Sequence, residues 1–139
     1  MSRSTVARVG TNVERLLPSD EARELLELTR EIYEAGKPVA FICHAGWVPI
    51  SARIVKGKRG TSVGAIKDDL VNAGLIWEDS AVVVDGNLIS SRTPADLPVF
   101  CKALIAALER DASRELRSVE QSTSSRARRG IHPAGSPKP

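Results

Sequence analysis

The chain has 139 residues, of which 42% are hydrophobic and 27% are charged. This length allows one domain at most, and the composition is ordinary for a globular protein. The longest apolar runs are far shorter than the roughly 20 residues that a membrane-spanning helix needs, and the first residues lack the apolar core of a signal peptide. We therefore expect no membrane association and a cytoplasmic location.

The net charge of +3 is unevenly distributed along the chain. Residues 110–139 carry a balance of +4, which leaves −1 for residues 1–109. The globular part is therefore nearly neutral, and its charge does not indicate a nucleic-acid-binding fold. The two cysteines, Cys43 and Cys101, lack C-x-x-C spacing, so they indicate neither a disulfide framework nor a zinc site.

The first predicted helix begins at Ser19 or Asp20 and ends at Gly36. Its apolar stripe consists of Ala22, Leu25, Leu26, Thr29, Ile32 and Tyr33. Glu and Arg residues occupy the opposite face, as in a helix with one solvated side. The apolar run Val39–Ile42 then follows, and such a short run is typical of a buried strand in a parallel sheet.

Cys43 follows this strand directly, where the chain turns into a predicted helix with Trp47, Ile50 and Ile54 at helical spacing. At such an elbow, the free N–H groups and positive dipole end of the helix stabilise a thiolate, which is the nucleophilic form of cysteine. A cysteine after an apolar run is also often a small buried hydrophobic residue. Packing and catalysis are therefore both open for Cys43.

Pro49 falls in the second turn of a helix that would start at Cys43. A proline beyond the first turn removes an N–H and clashes with the preceding turn. The helix is therefore expected either to begin later than Cys43 or to be kinked.

The remaining elements alternate short strands and helices. We predict a strand at 61–63, a helix at 65–72, a hairpin of 82–85 with 88–91 around Gly86-Asn87, and a last helix that opens at Thr93-Pro94. On this last helix an apolar face is formed by Leu97, Phe100, Cys101, Leu104, Ile105 and Leu108. The pattern predicts that Cys101 packs in the core.

After about Ala112 the apolar periodicity ends in a segment rich in Ser, Arg, Pro and Gly. Such a segment buries too little apolar surface to order itself. We therefore predict one domain at 1–111 and a disordered basic tail at 112–139. Weak, salt-dependent contact of this tail with nucleic acid is one interpretation of its charge, and simple solvation is the other.

The string from Gly36 to Trp47 and its continuation resemble the PfpI family. Its members are intracellular cysteine proteases and amidases of the class I glutamine amidotransferase-like superfamily, and some relatives act as glyoxalases or protein deglycases. The resemblance runs from about Gly10 to about Leu108, and Ile-Cys-His at 42–44 and Ile-Lys-Asp-Asp-Leu at 66–70 make it specific. It implies an α/β fold, a flavodoxin-like three-layer sandwich with a mostly parallel sheet, here missing its amino-terminal strands.

The resemblance also implies a function. Cys43 would be the nucleophile and His44 the general acid/base of a hydrolase that acts on peptide, amide or aldehyde-adduct substrates, without a metal or organic cofactor. Gly10 and His44 are candidate donors to the oxyanion, through their backbone N–H groups. Glu14 is the candidate for a carboxylate that completes the site.

The family's glutamate that contacts the thiol has no matching position in this chain. The alternative function is therefore a non-catalytic protein of the stress response or of subunit interaction, which keeps the scaffold alone. The missing strands would pair beside the strand that leads to Cys43, and an unpaired strand edge favours association. We accordingly expect a homo-oligomer.

Overall fold

The computed structural model describes residues 19–130 of the chain. Within this range the helices are α1 (Ser19–Glu34), α2 (Trp47–Ser51), α3 (Lys67–Asn72) and α4 (Leu97–Arg129), and the strands are β1 (Val39–Ile42), β2 (Arg59–Gly60), β3 (Ile76–Trp77), β4 (Val82–Asp85) and β5 (Leu88–Ser91). Short 3₁₀ helices occupy Cys43–Gly46, Gly64–Ile66 and Pro94–Asp96. None of the helices between residues 19 and 130 combines the length and apolar character of a membrane span.

The larger sheet has the strand order β1-β5-β4, while β2 pairs with β3 in a separate ladder. The pairs β1–β5 and β2–β3 are parallel, and β4–β5 is an antiparallel hairpin. The predicted hairpin is confirmed with its predicted bounds. Its tight turn forms because Gly86 supplies the positive φ (59°) that such a turn requires. The strand predicted at 61–63 is wrong: pairing ends at Gly60, and the Thr61 N–H donates to Ser90 Oγ at 2.9 Å instead.

β1 and β5 turn alternate side chains to two hydrophobic layers. On one face, Phe41 and Leu88 pack with residues of α1 and of the segment that ends α2, namely Leu26, Ala52 and Ile54. On the other face, Ile89 packs with Phe100 and Ala107 of α4. The sheet therefore lies between α1 and α2 on one side and α4 on the other, which is a three-layer arrangement.

A third cluster joins α2, α3 and the β2–β3 ladder. Its buried members are Ile50, Val55, Ile66, Leu70 and Leu75. Fully burying one such aliphatic side chain contributes roughly 1.5–3 kcal/mol. Gly46 packs against this cluster: a Cβ at this position would lie 3.0 Å from Ile66 Cδ1 and 3.4 Å from Leu70 Cδ1. The absence of a side chain at Gly46 thus allows the chain after β1 to lie directly on α3.

β1 is less buried than the sequence predicts. Of its four residues, Phe41 alone is buried. Within residues 19–130 the strand has one neighbour, β5, so its other edge lacks a partner there. An edge strand is covered on one side only. The prediction of a fully buried strand is therefore wrong, whereas the open edge expected beside it is present in the described part of the chain.

The α-helix after β1 begins at Trp47, later than Cys43. Pro49 is its third residue and lies in the first turn, where a missing N–H breaks no helical hydrogen bond. The late start, one of the two outcomes predicted from Pro49, is confirmed.

α4 differs most from the sequence-based prediction. It continues to Arg129, whereas disorder was predicted from residue 112 onwards, and residues 131–139 lie outside the described range. Cys101 is exposed and not in the core, because the side of α4 that faces the sheet is formed by Phe100, Leu104 and Ala107. The prediction for Cys101 is therefore wrong, and the domain boundary at 111 stays a prediction.

Arg92, directly after β5, joins three parts of the fold. Its guanidinium donates to Asp96 from Nε (2.9 Å) and Nη2 (3.1 Å), and to Asp79 from Nη1 (2.8 Å). These charge-assisted hydrogen bonds connect the end of β5 with the β3–β4 loop and the start of α4. The hydrogen bonds from Arg92 hold the pKa of the Asp96 carboxyl below its usual value.

We expect Arg92→Gln to lower the midpoint of thermal unfolding at neutral pH. Because the folded-state pKa of Asp96 is lowered, the ion pair stabilises the fold above the unfolded-state pKa of about 3.9, and this contribution is lost as the pH falls through the folded-state pKa. The difference between the two proteins should therefore shrink below about pH 4. Circular dichroism melts across this range measure it, with Arg117→Gln as the control for loss of an exposed guanidinium. A difference that does not change with pH would contradict the assignment.

We expect Gly46→Val to reduce the free energy of unfolding by about 1–3 kcal/mol, the usual cost of overpacking a filled site. The added methyl groups would meet Ile66 and Leu70, which are already buried. Gly64→Val is the matched control, since nothing lies within 4 Å of a Cβ at Gly64. Denaturant titration of both variants measures the difference, and equal stability of the two would show that Gly46 has room for a side chain.

Candidate active site

Cys43 directly follows β1 and is the first residue of the 3₁₀ helix Cys43–Gly46. Ile42 still has extended backbone (φ −138°, ψ 146°), but Cys43 has φ 62°. Left-handed backbone costs a non-glycine residue roughly 1–2 kcal/mol. Arg53 is the other non-glycine residue with positive φ in the described range, and it follows α2, where this conformation commonly ends a helix. Cys43 instead precedes a helix, as does the nucleophile on the strained elbow of α/β-hydrolases.

The side chains of Cys43 and His44 contact each other. Cys43 Sγ lies 3.2 Å from His44 Nδ1, within hydrogen-bonding distance. Cys43 is half-buried and His44 is exposed. A proton can pass directly between the two groups, and the thiol is not enclosed in the core. The structure thus brings the two sequence-predicted site residues together, and their catalytic roles stay a prediction.

Trp47 supports the imidazole of His44. The two ring centroids are 5.5 Å apart, with their planes tilted by 59°. The Trp47 indole Nε1 donates to Asp69 Oδ2 at 2.8 Å. Asp69 lies in the first turn of α3, so α3 anchors the aromatic ring against which His44 rests. Sequence reasoning assigned no role to Asp69, and the only signal available was its place in Ile-Lys-Asp-Asp-Leu.

Two of the predicted site residues, Gly10 and Glu14, lie outside the residues that the structure describes. The backbone N–H of His44 is in the first turn of its 3₁₀ helix, where no carbonyl of that helix can accept it. It therefore stays a candidate donor to an oxyanion.

Across the described range no carboxylate forms a hydrogen bond or ion pair with His44, whose contacts are with Cys43 and Trp47. The same residues contain no group of three His, Cys, Asp or Glu side chains that could hold a metal ion.

Comparison with known proteins gives the family of the chain. A family model described as the DJ-1/PfpI family matches residues 11–107. The deglycase PfpI of Pyrococcus furiosus is 46% identical over 84 residues, which cover 60% of this chain and 51% of that protein. The putative cysteine protease YraA of Bacillus subtilis is 43% identical over 74 residues, which cover 53% of this chain and 44% of that protein. The chain thus spans about half the length of these curated relatives.

A solved structure shows the same fold. It is that of a two-domain protein from Anabaena variabilis with DJ-1/ThiJ/PfpI-like and ferritin-like domains. The match covers 65% of this chain and 28% of that protein, with a TM-score of 0.62 and 41% sequence identity. The flavodoxin-like α/β sandwich predicted from the sequence is therefore confirmed, as a partial domain. Since the family match covers well over half of the chain, this protein belongs to the DJ-1/PfpI family.

Proposed function

We propose that the chain acts as a cytoplasmic cysteine-dependent hydrolase, with Cys43 as nucleophile and His44 as general acid/base. The observation that supports this most directly is the 3.2 Å contact between Cys43 Sγ and His44 Nδ1, at a residue held in left-handed backbone. Strained backbone of this kind concentrates at active sites. The relatives named deglycase and putative cysteine protease suggest two substrate classes, aldehyde-derived adducts and peptide or amide bonds.

The chemistry of an amide substrate illustrates the roles. The thiol proton of Cys43 moves to the imidazole of His44, and the thiolate attacks the carbonyl carbon. The backbone N–H of His44 is the candidate donor to the oxygen that gains negative charge. When the C–N bond breaks, the amine leaves with the proton from the imidazolium, and water then hydrolyses the thioester. The scheme uses neither a metal nor an organic cofactor.

One feature of the site favours a second function. A catalytic imidazole commonly depends on a third group that fixes its tautomer, and no carboxylate among residues 19–130 contacts His44. The second candidate is therefore a non-catalytic protein of the stress response or of subunit interaction, built on the same scaffold. Glu14 is the candidate for this third group, and its substitution should lower activity only if the chain is an enzyme that uses it.

We expect iodoacetamide to alkylate Cys43 faster than Cys101 near neutral pH, although Cys43 is the less exposed thiol. Only a thiol whose proton can be taken up by a neighbouring imidazole should reverse the order that exposure predicts. Mass spectrometry of tryptic peptides over time measures both rates in one sample. Equal rates, or faster reaction of Cys101, would contradict the assignment of Cys43 as nucleophile.

Hydrolytic activity should depend on Cys43. With a methylglyoxal adduct and a peptide as alternative substrates, we expect Cys43→Ala to lower kcat/KM by at least about a thousandfold, because loss of a nucleophile removes the covalent route. His44→Gln should lower it by about 10²–10⁴-fold. Cys101→Ala is the matched control and should leave it unchanged. If the unsubstituted protein turns over neither substrate, the second candidate function is supported.

A further inference from the structure

The 3₁₀ helix after β1 brings the rings of His44 and Trp47 together. His44 is the second residue of the 3₁₀ helix Cys43–Gly46, and Trp47 follows that helix directly. In a 3₁₀ helix the side chains at positions i and i+3 eclipse each other. The two ring centroids therefore lie 5.5 Å apart, with the ring planes tilted by 59°. Tilted aromatic pairs at this spacing are favourable, so the indole restricts the rotation of the imidazole.

His44 has few other restraints. Its side chain is exposed, and within residues 19–130 its hydrogen-bonding contact is with Cys43 Sγ. The segments packed against its turn are β1, α2 and Gly64–Ile66, and none of them contains a titratable side chain that could hold the ring. Exposed side chains exchange rotamers within nanoseconds unless a neighbour limits them. The ring of Trp47 is therefore what keeps Nδ1 of His44 turned toward the thiol.

The indole of Trp47 is itself fixed by Asp69. A tryptophan side chain has two broad preferred orientations about χ2, and these point the indole N–H in opposite directions. In the structure Nε1 of Trp47 donates to Asp69 Oδ2 at 2.8 Å, while the ring packs against the buried cluster that contains Ile66 and Leu70. An indole N–H that loses its acceptor in a partly buried place is costly. The carboxylate of Asp69 therefore selects one of the two orientations.

We propose that Asp69 is a positioning residue of the active site. Its hydrogen bond fixes the indole of Trp47, and the indole holds the imidazole of His44 where Nδ1 can receive the proton of Cys43, a role that rests on the proposed function. Within residues 19–130 the carboxylate of Asp69 hydrogen-bonds to Trp47 and to neither of the reacting side chains. Asp69 thus acts on the site through Trp47.

A matched control separates this role from the stability of α3. Asp69 lies in the first turn of α3, where an acidic side chain is favourable in any case. Asp68 lies in the same turn and is exposed. Asp68→Ala therefore removes the same charge from the same end of the helix, but leaves the acceptor of the indole N–H in place.

Proton NMR of the full chain tests the ring contact without a substrate. The ring current of Trp47 shifts the imidazole proton signals of His44, and we expect Asp69→Ala to move these signals toward their positions in Trp47→Leu. Asp69→Asn should leave them near those of the unsubstituted protein, because the amide oxygen of asparagine still accepts the indole N–H. Asp68→Ala should also leave them there. His44→Gln identifies the signals, since the chain has two histidines. Unchanged His44 signals in Asp69→Ala would overturn the proposal.

Alkylation by iodoacetamide tests the consequence for the thiol, as the rate at Cys43 divided by the rate at Cys101 in the same molecule. We expect Asp69→Ala and Trp47→Phe each to lower this ratio by about two- to tenfold, the effect of losing an aromatic pair. Asp69→Asn should retain the ratio. In the Trp47→Phe background Asp69→Ala should have no further effect, because the two residues act as one unit.

Three results of the alkylation experiment would overturn the proposal. Equal losses in Asp69→Asn and Asp69→Ala would show that the carboxylate acts by its charge and not by its hydrogen bond. An equal loss in Asp68→Ala would show an effect of helix stability. Additive losses in Trp47→Phe/Asp69→Ala would show that Asp69 acts independently of Trp47.

These two readouts separate the role of Asp69 from the proposed function, because neither needs turnover. If the unsubstituted protein hydrolyses neither substrate, the proposed function fails, while the NMR signals and the alkylation ratio still decide whether Asp69 positions His44. Activity that depends on Cys43 and His44, together with unchanged readouts in Asp69→Ala, would retain the function and overturn the role of Asp69.

Discussion

The site depends on the turn by which the chain leaves β1. Within one residue the backbone changes from extended at Ile42 to left-handed at Cys43, and a helix begins at once. Gly46 makes this turn compatible with the core, because it lets the following segment pack on α3 without a side chain between them. The strain at Cys43 is offset by burial of apolar side chains behind it. The thiol of Cys43 and the imidazole of His44 are neighbours as a result. Trp47, which is held by Asp69, supports the imidazole.

Local features of the site and fold were accessible from the sequence, whereas features that depend on packing between distant segments were not. An apolar run before Cys43, a proline that delays the helix and Gly86 in a tight turn each act over a few residues. The contact of Trp47 with Asp69 joins residues 22 positions apart, and the spacing of apolar residues does not predict it. The sequence was therefore sufficient to predict the turn at Cys43, but not the contact between Trp47 and Asp69 that supports His44.

The failure at Cys101 has a different cause. α4 carries two overlapping apolar rows, one through Phe100, Leu104 and Ala107 and the other through Leu97, Cys101, Ile105 and Leu108. Helical spacing makes both rows regular, so the pattern alone does not decide which faces the sheet. The packing of Phe100 and Ala107 on Ile89 decides it. The small apolar surface of the Ser- and Arg-rich segment after Ala112 likewise predicted disorder, although the structure continues the helix to Arg129.

The left-handed conformation of Cys43 bears on why a thiol occupies that position. Glycine adopts this backbone without the steric cost that any β-carbon brings. For the scaffold alone, the residue of lowest free energy after β1 would therefore have no side chain. The backbone at this position favours glycine, whereas the chain has cysteine. Stability of the fold therefore does not account for the cysteine.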